Sequence, residues 1–436
     1  MKSSKRKVCQ AVAVVLSALA ASAAMAQTPS LLGGGSSLVA PTIQSEISAF
    51  PSTDGTAAYW SVGSGKGQAA FLNNDPTQFT SVTVSAGTTV TLTASGTVDF
   101  ANSDAPLSAS QISAYTASTG LGATDGPLIQ IPYIVTPITI PLVNGPTGTG
   151  PTLPNGGTTA TVALNDADLC GIFSGAFTNW NQVTNPDNGS LYPAGAITVV
   201  YRADSSGTTD LLTAHLQAVC PAASGTSAVP VSFTATQSFA SLFPSSTPPS
   251  NFVGATGSGG VAASLLALSG AGVGYLSPDY TNTFLAPSSS PAQTNNLSVA
   301  SVRNTTTNTD VVPSYQNATL AIGTVSVPTT QTAAKNPTKW VPNASNPTTG
   351  YPISGTSQII VSQCYVAHGD TPTVAASVVD FLNLHYASNA SIIHGNGFDT
   401  VPSTYVTAIN SDFLSNSSGF NLDIGDTTVC SAVTGR

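Results

Sequence analysis

"AITVVYRADSSGTTDLLTAHLQAV", residues 196–219, decides how this chain is read. Ile197 to Tyr201 form an apolar, β-branched run of strand length, Ala203 to Thr208 are small and turn-forming, and Leu211, Leu212, His215, Leu216 and Val219 then recur on one helical face. A strand that passes through a small-residue turn into a helix is the building unit of α/β proteins. It exposes backbone N–H groups at the helix start, where unpaired donors and the helix dipole favour an anion. Arg202 and Asp204 sit in that turn, in a chain with only ten Lys and Arg among 436 residues. A cation placed there needs a reason, and an anion held at the helix start supplies one.

The same design recurs. "LLGGGSSLVAPTIQSEISAF" (31–50) puts a glycine-rich turn before Ile43, Ile47 and Phe50, and "YWSVGSGKGQAAFL" (59–72) leads a short β-like run into another such turn. "VDFANSDAPLS" (98–108) ends a strand at Asp104 and a proline turn; alone, Asp104 reads as well as a structural residue, a helix cap or Asx-turn, as it does as a site residue, and the three anion-type turns in the same chain favour the site. Stretches such as "NGPTGTGPTLPNGGTT" (144–159), "PSSTPPSN" (244–251) and much of 286–350 read as surface loops on a rigid frame.

Residues 1–26 read as a secretory leader, with a basic head "MKSSKRK", a short Ala-rich apolar stretch and "AMA" before Gln27. The leader takes Lys2, Lys5, Arg6 and Lys7 with it, leaving six cations against 19 anions. That balance disfavours nucleic acid and acidic membranes, which need dense positive surface. Charged residues make up 7% of the chain, against roughly 25% in ordinary soluble domains. Cys9 also falls in the leader. Cys170, Cys220, Cys364 and Cys430 remain, an even number that in an exported chain suggests two disulfides; three pairings are open, and adjacent pairing is expected. No cysteine follows the expected cleavage point, so no lipid anchor is indicated there. A length of about 410 residues after cleavage exceeds one ordinary core and suggests two domains.

"GGGSSLVAP", "SVGSGKG", "VDFANSDAPLS", "YRADSSGT" and "GSGGVAASLLALSGAGVGYLSPDY" occur in an order and wording that resembles the PstS family, the periplasmic phosphate-binding proteins serving the ABC-type phosphate importer. "YPISGTSQIIVSQ" and "SVVDFLNLHY" resemble that family's closing strand and helix. The resemblance spans most of the chain after the leader. It implies a two-lobed α/β fold of the type II periplasmic-binding-protein kind with a ligand cleft between the lobes: 27–135 as the first part of lobe 1, 136–280 as lobe 2, and 281–436 as the return into lobe 1 with long loops. It implies inorganic phosphate as ligand, a membrane permease as partner, a monomer in the periplasm or outside the cell, and no cofactor, metal or catalytic group. Its expected phosphate ligands are Ser37, Leu38, Ser64, Asp104, Arg202, Ser206, Gly207 and Thr208, with Asp204 orienting Arg202.

These roles make physical sense. A desolvated phosphate needs many donors in place of its water, and hydroxyls with helix-start amides supply them without excess charge. The planar fork of Arg binds two oxygens while meeting a carboxylate. Asp104 would accept the proton that phosphate carries near neutral pH; sulfate has none, so the same carboxylate repels it.

Some features depart from the pattern. Leu38 stands where an aromatic residue is common, and residues 72–95, "LNNDPTQFTSVTVSAGTTVTLTAS", add a segment that alternates as a β-hairpin would. "GSGKG" fails as a nucleotide P-loop, because Trp60 and Gly67 occupy positions that require Gly and Ser or Thr. Lys66 reads as a surface lysine, and His215, His368, His385 and His394 as helix-face or surface residues without metal spacing. Two rival functions stay open: a secreted surface or matrix protein, which the low charge and Thr/Asn-rich loops would suit, and a hydrolase of phosphate esters on the same frame.

Overall fold

A computed structural model describes residues 28–85, 88–222, 224–226 and 230–436. The expected leader lies outside the described residues. Chain order alternates strand and helix from the start: β1 (Ser30–Gly35), α1 (Ala40–Ala49), β2 (Thr56–Ser61), α2 (Ser64–Asn73), a hairpin of β3 (Thr80–Ser85) and β4 (Thr88–Thr93), β5 (Phe100–Ser103), α3 (Ala109–Thr116), α4 (Gly122–Asp125) and β6 (Leu128–Pro137). β1 runs parallel to both β2 and β5, so the turns after these strands gather at one edge of the sheet. β3 and β4 pair antiparallel with each other, forming the hairpin that the alternation in 72–95 suggests.

Three residues after β6 the chain enters a second sheet through β7 (Pro141–Val143). β8 (Val162–Leu164), α5 (Asp166–Ser174), β9 (Ile197–Arg202) and α6 (Gly207–Val219) follow, then a scrap of ribbon, β10 (Ser224–Gly225) with β11 (Pro230–Val231). β12 (Phe252–Ala255), α7 (Gly257–Leu266), β13 (Ala271–Gly274), β14 (Ser298–Asn304) and β15 (Thr309–Val311) complete it. Its strand order is β12-β9-β13-β7-β14-β15, with β8 also paired to β14. The chain then returns, and β16 (Ser354–Ser362) inserts antiparallel between β5 and β6, giving the first sheet the order β2-β1-β5-β16-β6.

These are two α/β lobes, as the sequence suggests. The return, however, comes later than the expected boundary at 281. β14 pairs with β7 and β8, and Leu297 N–H bonds the Thr281 carbonyl, so the second sheet holds the chain through Val311. "SVASVRN" lies in loop-like sequence, and sheet membership is a pairing property that its composition does not carry.

Local rules account for the elements. α3 and α5 begin with complete capping boxes, Ser108 with Gln111 and Asn165 with Asp168. β6 and β16 are buried along their whole lengths, as strands covered on both faces must be. The adjacent cysteines pair: Cys170 with Cys220 (Cα–Cα 5.6 Å) ties α5 to the end of α6, and Cys364 with Cys430 (5.3 Å) closes the C-terminal segment onto the end of β16. Among the described residues no helix is long and apolar enough to cross a membrane.

Candidate anion-binding site

The helix-start turns of the two lobes face each other. The first begins at Gly35, whose φ of +133° and approach to the Asn102 carbonyl, where a Cβ would lie 2.1 Å away, leave room only for glycine. The tight turn delivers Ser36 and Ser37 into the cleft. Ser36 Oγ donates to Asp104 (2.7 and 2.8 Å to the two oxygens) and accepts the Leu38 N–H at 3.1 Å. Leu38 itself is wholly buried in the core, and its N–H is spent within the turn. Ser37 Oγ crosses the cleft to Ser258, meeting its hydroxyl at 2.9 Å and accepting its N–H at 3.1 Å.

The second turn uses Gly63, φ +93°, to enter α2 without a side-chain cap. Ser64 Oγ accepts the Asp104 N–H at 3.2 Å, joining this turn to the end of β5. Lys66 is exposed.

Asp104 is 1% exposed. Besides Ser36, it accepts from Ser357 Oγ of β16 at 2.8 Å and Thr208 Oγ1 of the opposite lobe at 3.4 Å. Burial pushes its carboxyl above the usual carboxylate range, and the hydroxyls of Ser36 and Ser357, the charge of Arg202 and the Thr208 hydroxyl oppose that rise.

From the second lobe, Arg202 ends β9 at 1% exposure. Its Nε and one Nη grip the two oxygens of Asp204 at 2.7 and 2.5 Å, leaving the other terminal nitrogen for a further acceptor. Burial works against the charge on Asp204, but the Arg202 bonds and charge and the Gly257 N–H (2.9 Å) together hold its carboxyl below the usual range. Ser206 Oγ caps α6 by accepting the Thr209 N–H at 3.3 Å. Gly207 lies so close to Asp104 that an added Cβ would come within 2.6 Å of the Asp104 Cβ.

Ser37, Ser64, Asp104, Arg202, Asp204, Ser206, Gly207 and Thr208 thus come together where these turns meet, whereas the Leu38 N–H, expected to face the ligand, is already taken by Ser36 Oγ and its side chain lies in the core. Sequence reasoning missed Ser36, Ser258, Ser357 and Tyr275. Ser258 had a signal, since "GSGGV" is a fourth small-residue turn at a helix start. Ser36 neighbours a residue that was chosen, whereas Ser357 lies mid-strand, where nothing marks it. Tyr275, whose hydroxyl accepts the Arg202 N–H at 3.0 Å and meets Thr209 at 2.8 Å, lies in the quoted "GAGVGYLSPDY" stretch just after β13, and only the pairing of β13 with β9 brings it to Arg202. His215 and His385 are buried on helix faces, bonded to Asp166 and Glu46, and neither is near Asp104 in hydrogen-bonding terms. Among the described residues no cluster of three His, Cys, Asp or Glu forms a metal set.

The two sheets, the two crossings and a polar cleft of helix starts define a two-lobed solute-binding protein. The sequence model of the PBP superfamily domain matches residues 20–384. A Pseudomonas aeruginosa protein named Alkaline phosphatase L is 34% identical over 409 residues, covering 93% of this chain and 94% of that protein. A phosphate-binding protein of an unknown prokaryotic organism is 35% identical over 396 residues, covering 87% and 93%. A periplasmic phosphate-binding protein (PfluDING), solved with bound phosphate, superposes with a TM-score of 0.70 at 35% identity over 93% of this chain and 99% of its own. The chain belongs to the PBP superfamily and, within it, to the PstS-type phosphate-binding proteins.

Proposed function

We propose that this exported protein binds inorganic phosphate between its lobes and delivers it to the membrane permease of an ABC importer. The observation that carries the reading is the meeting of the two lobes at Asp104, which accepts from the Thr208 hydroxyl of the other lobe and feels the charge of Arg202, itself held by Asp204, amid hydroxyls and helix starts. Arg202 supplies the cation, Asp204 holds its fork, and Ser37, Ser64, Ser206, Gly207 and Thr208 supply donors. Asp104 accepts the ligand's own proton. The similarity to proteins named for phosphate binding supports the ligand, and the periplasmic setting named for PfluDING supports export.

Calorimetric titration with phosphate, sulfate, arsenate and a phosphate monoester tests this: phosphate should bind and sulfate should not. Hydrolysis of phosphate esters is the second reading, favoured by the relatives named Alkaline phosphatase L. Turnover of a nitrophenyl phosphate that disappears in Arg202→Ala would support it.

A further inference from the structure

A second cavity lies on lobe 1, at the opposite end of edge strand β6 from the crossing into lobe 2. Its volume is about 260 Å³, and its wall is built from Leu128 and Ile129 of β6 with Trp340, Phe413, Leu422 and Lys335. Polar side chains in the wall are already engaged. Gln130 takes the Leu107 N–H and donates to the Pro337 carbonyl, Gln363 donates to the carbonyls of Asn421 and Asp423, and the Trp340 indole N–H bonds the Ala334 carbonyl at 2.9 Å. What faces the space is therefore chiefly hydrocarbon and ring, with one charged side chain among the lining residues, Lys335.

That lysine is conspicuous in a chain so short of cations. Among the described residues Arg202, Arg303 and Arg436 are each held by carboxylates, whereas Lys66, Lys335 and Lys339 enter no ion pair. Lys335 and Lys339 flank the same short segment, and both are exposed. An apolar cavity of about 150 Å³ stays dry and takes up benzene, so this larger one has space for a ring or a short chain plus a head group. A carboxylate head would then meet the unpaired ammonium at the mouth while its tail displaced no well-bonded water.

We infer that this cavity is a binding site for a small amphiphilic monocarboxylate, an aromatic or short aliphatic acid whose tail packs on Trp340 and Phe413 and whose carboxylate pairs with Lys335. The site is separate from the anion cleft and does not depend on the function proposed for that cleft.

The test titrates the full mature protein with hexanoate, benzoate and neutral hexanol in saturating phosphate, which keeps carboxylates out of the cleft, following heat and tryptophan emission. Hexanoate and benzoate should bind. Ala334→Leu, which grows into the cavity, should weaken all three ligands at least tenfold while phosphate binding, measured separately, stays intact. Lys335→Gln should weaken the two acids about two- to fivefold, as loss of an exposed ion pair does, leave hexanol unchanged, and be rescued by Lys335→Arg. Absence of acid binding, acid binding that survives Ala334→Leu, or equal effects of Lys335→Gln on acid and alcohol would each overturn the inference.

Discussion

Replacing Asp104 by Asn separates the roles this residue plays in the fold and in selectivity. Ser36 and Ser357 converge on one carboxylate oxygen at 2.7 and 2.8 Å, while the other oxygen receives Ser36 at 2.8 Å and Thr208 at only 3.4 Å. An Asn side chain with its oxygen at the first position keeps both short bonds. Its NH₂ then occupies the second position, where the Thr208 hydroxyl can turn to accept. The fold should therefore lose no more than about one ordinary hydrogen bond, about 1 kcal/mol. The ligand feels a larger change. Two like charges about 4 Å apart repel by about 4 kcal/mol at an effective dielectric of 20, and the amide removes that repulsion from an unprotonated anion such as sulfate. Phosphate exchanges a donated bond for an accepted one and should change little. Competition titrations at fixed pH should show the sulfate-to-phosphate affinity ratio rising by more than tenfold, about 1.4 kcal/mol. An unchanged ratio in a folded Asp104→Asn protein would refute the assignment, leaving Asp104 as a turn residue that organises hydroxyls.

Arg202→Ala strips the cleft of its buried cation and leaves Asp204 unpaired, so phosphate affinity should fall by about 2–5 kcal/mol in calorimetry; near-parental binding would place the site elsewhere. Ser258→Ala removes the hydroxyl that meets Ser37 across the cleft, and one lost hydrogen bond of about 1 kcal/mol should weaken phosphate roughly fivefold, read by the same titration. Cys364→Ser with Cys430→Ser should lower stability by about 2–4 kcal/mol in denaturant unfolding, with phosphate affinity retained, because that link lies away from the cleft. Burial pushes Asp99, Asp168 and Asp210 up to about 6, with the Asp104 charge adding to the rise at Asp210. Their folded values exceed the unfolded value near 3.9, so the folded state binds more protons between the two; that stability is present at low pH and lost as pH rises through about 6. Thermal unfolding without ligand should give a higher Tm at pH 5 than at pH 7.5, and the opposite order would mean that these carboxyls are ionised without penalty.

Sequence alone settled what is local. A strand, a turn of small residues and a helix are written in neighbouring side chains, so "TVVYRADSSGT" announces both a helix start and the cation beside it, and the Arg202–Asp204 grip spans only two positions. Even the disulfides were legible as adjacent pairs, because each closes a stretch that folds with itself. Pairing between distant strands decided the rest. β14 joins the second sheet through partners more than a hundred residues earlier, and no composition in "SVASVRN" distinguishes that sheet from the first. Ser357 reaches Asp104 only because β16 inserts antiparallel beside β5, which sets the register that aims one hydroxyl of a buried strand at a carboxylate 253 positions away. Ser37 finds Ser258 only because the two lobes, built from distant stretches of chain, face each other. A side chain's type fixes what it can bond, but its partner is chosen by the packing of whole sheets, and that choice is made in three dimensions.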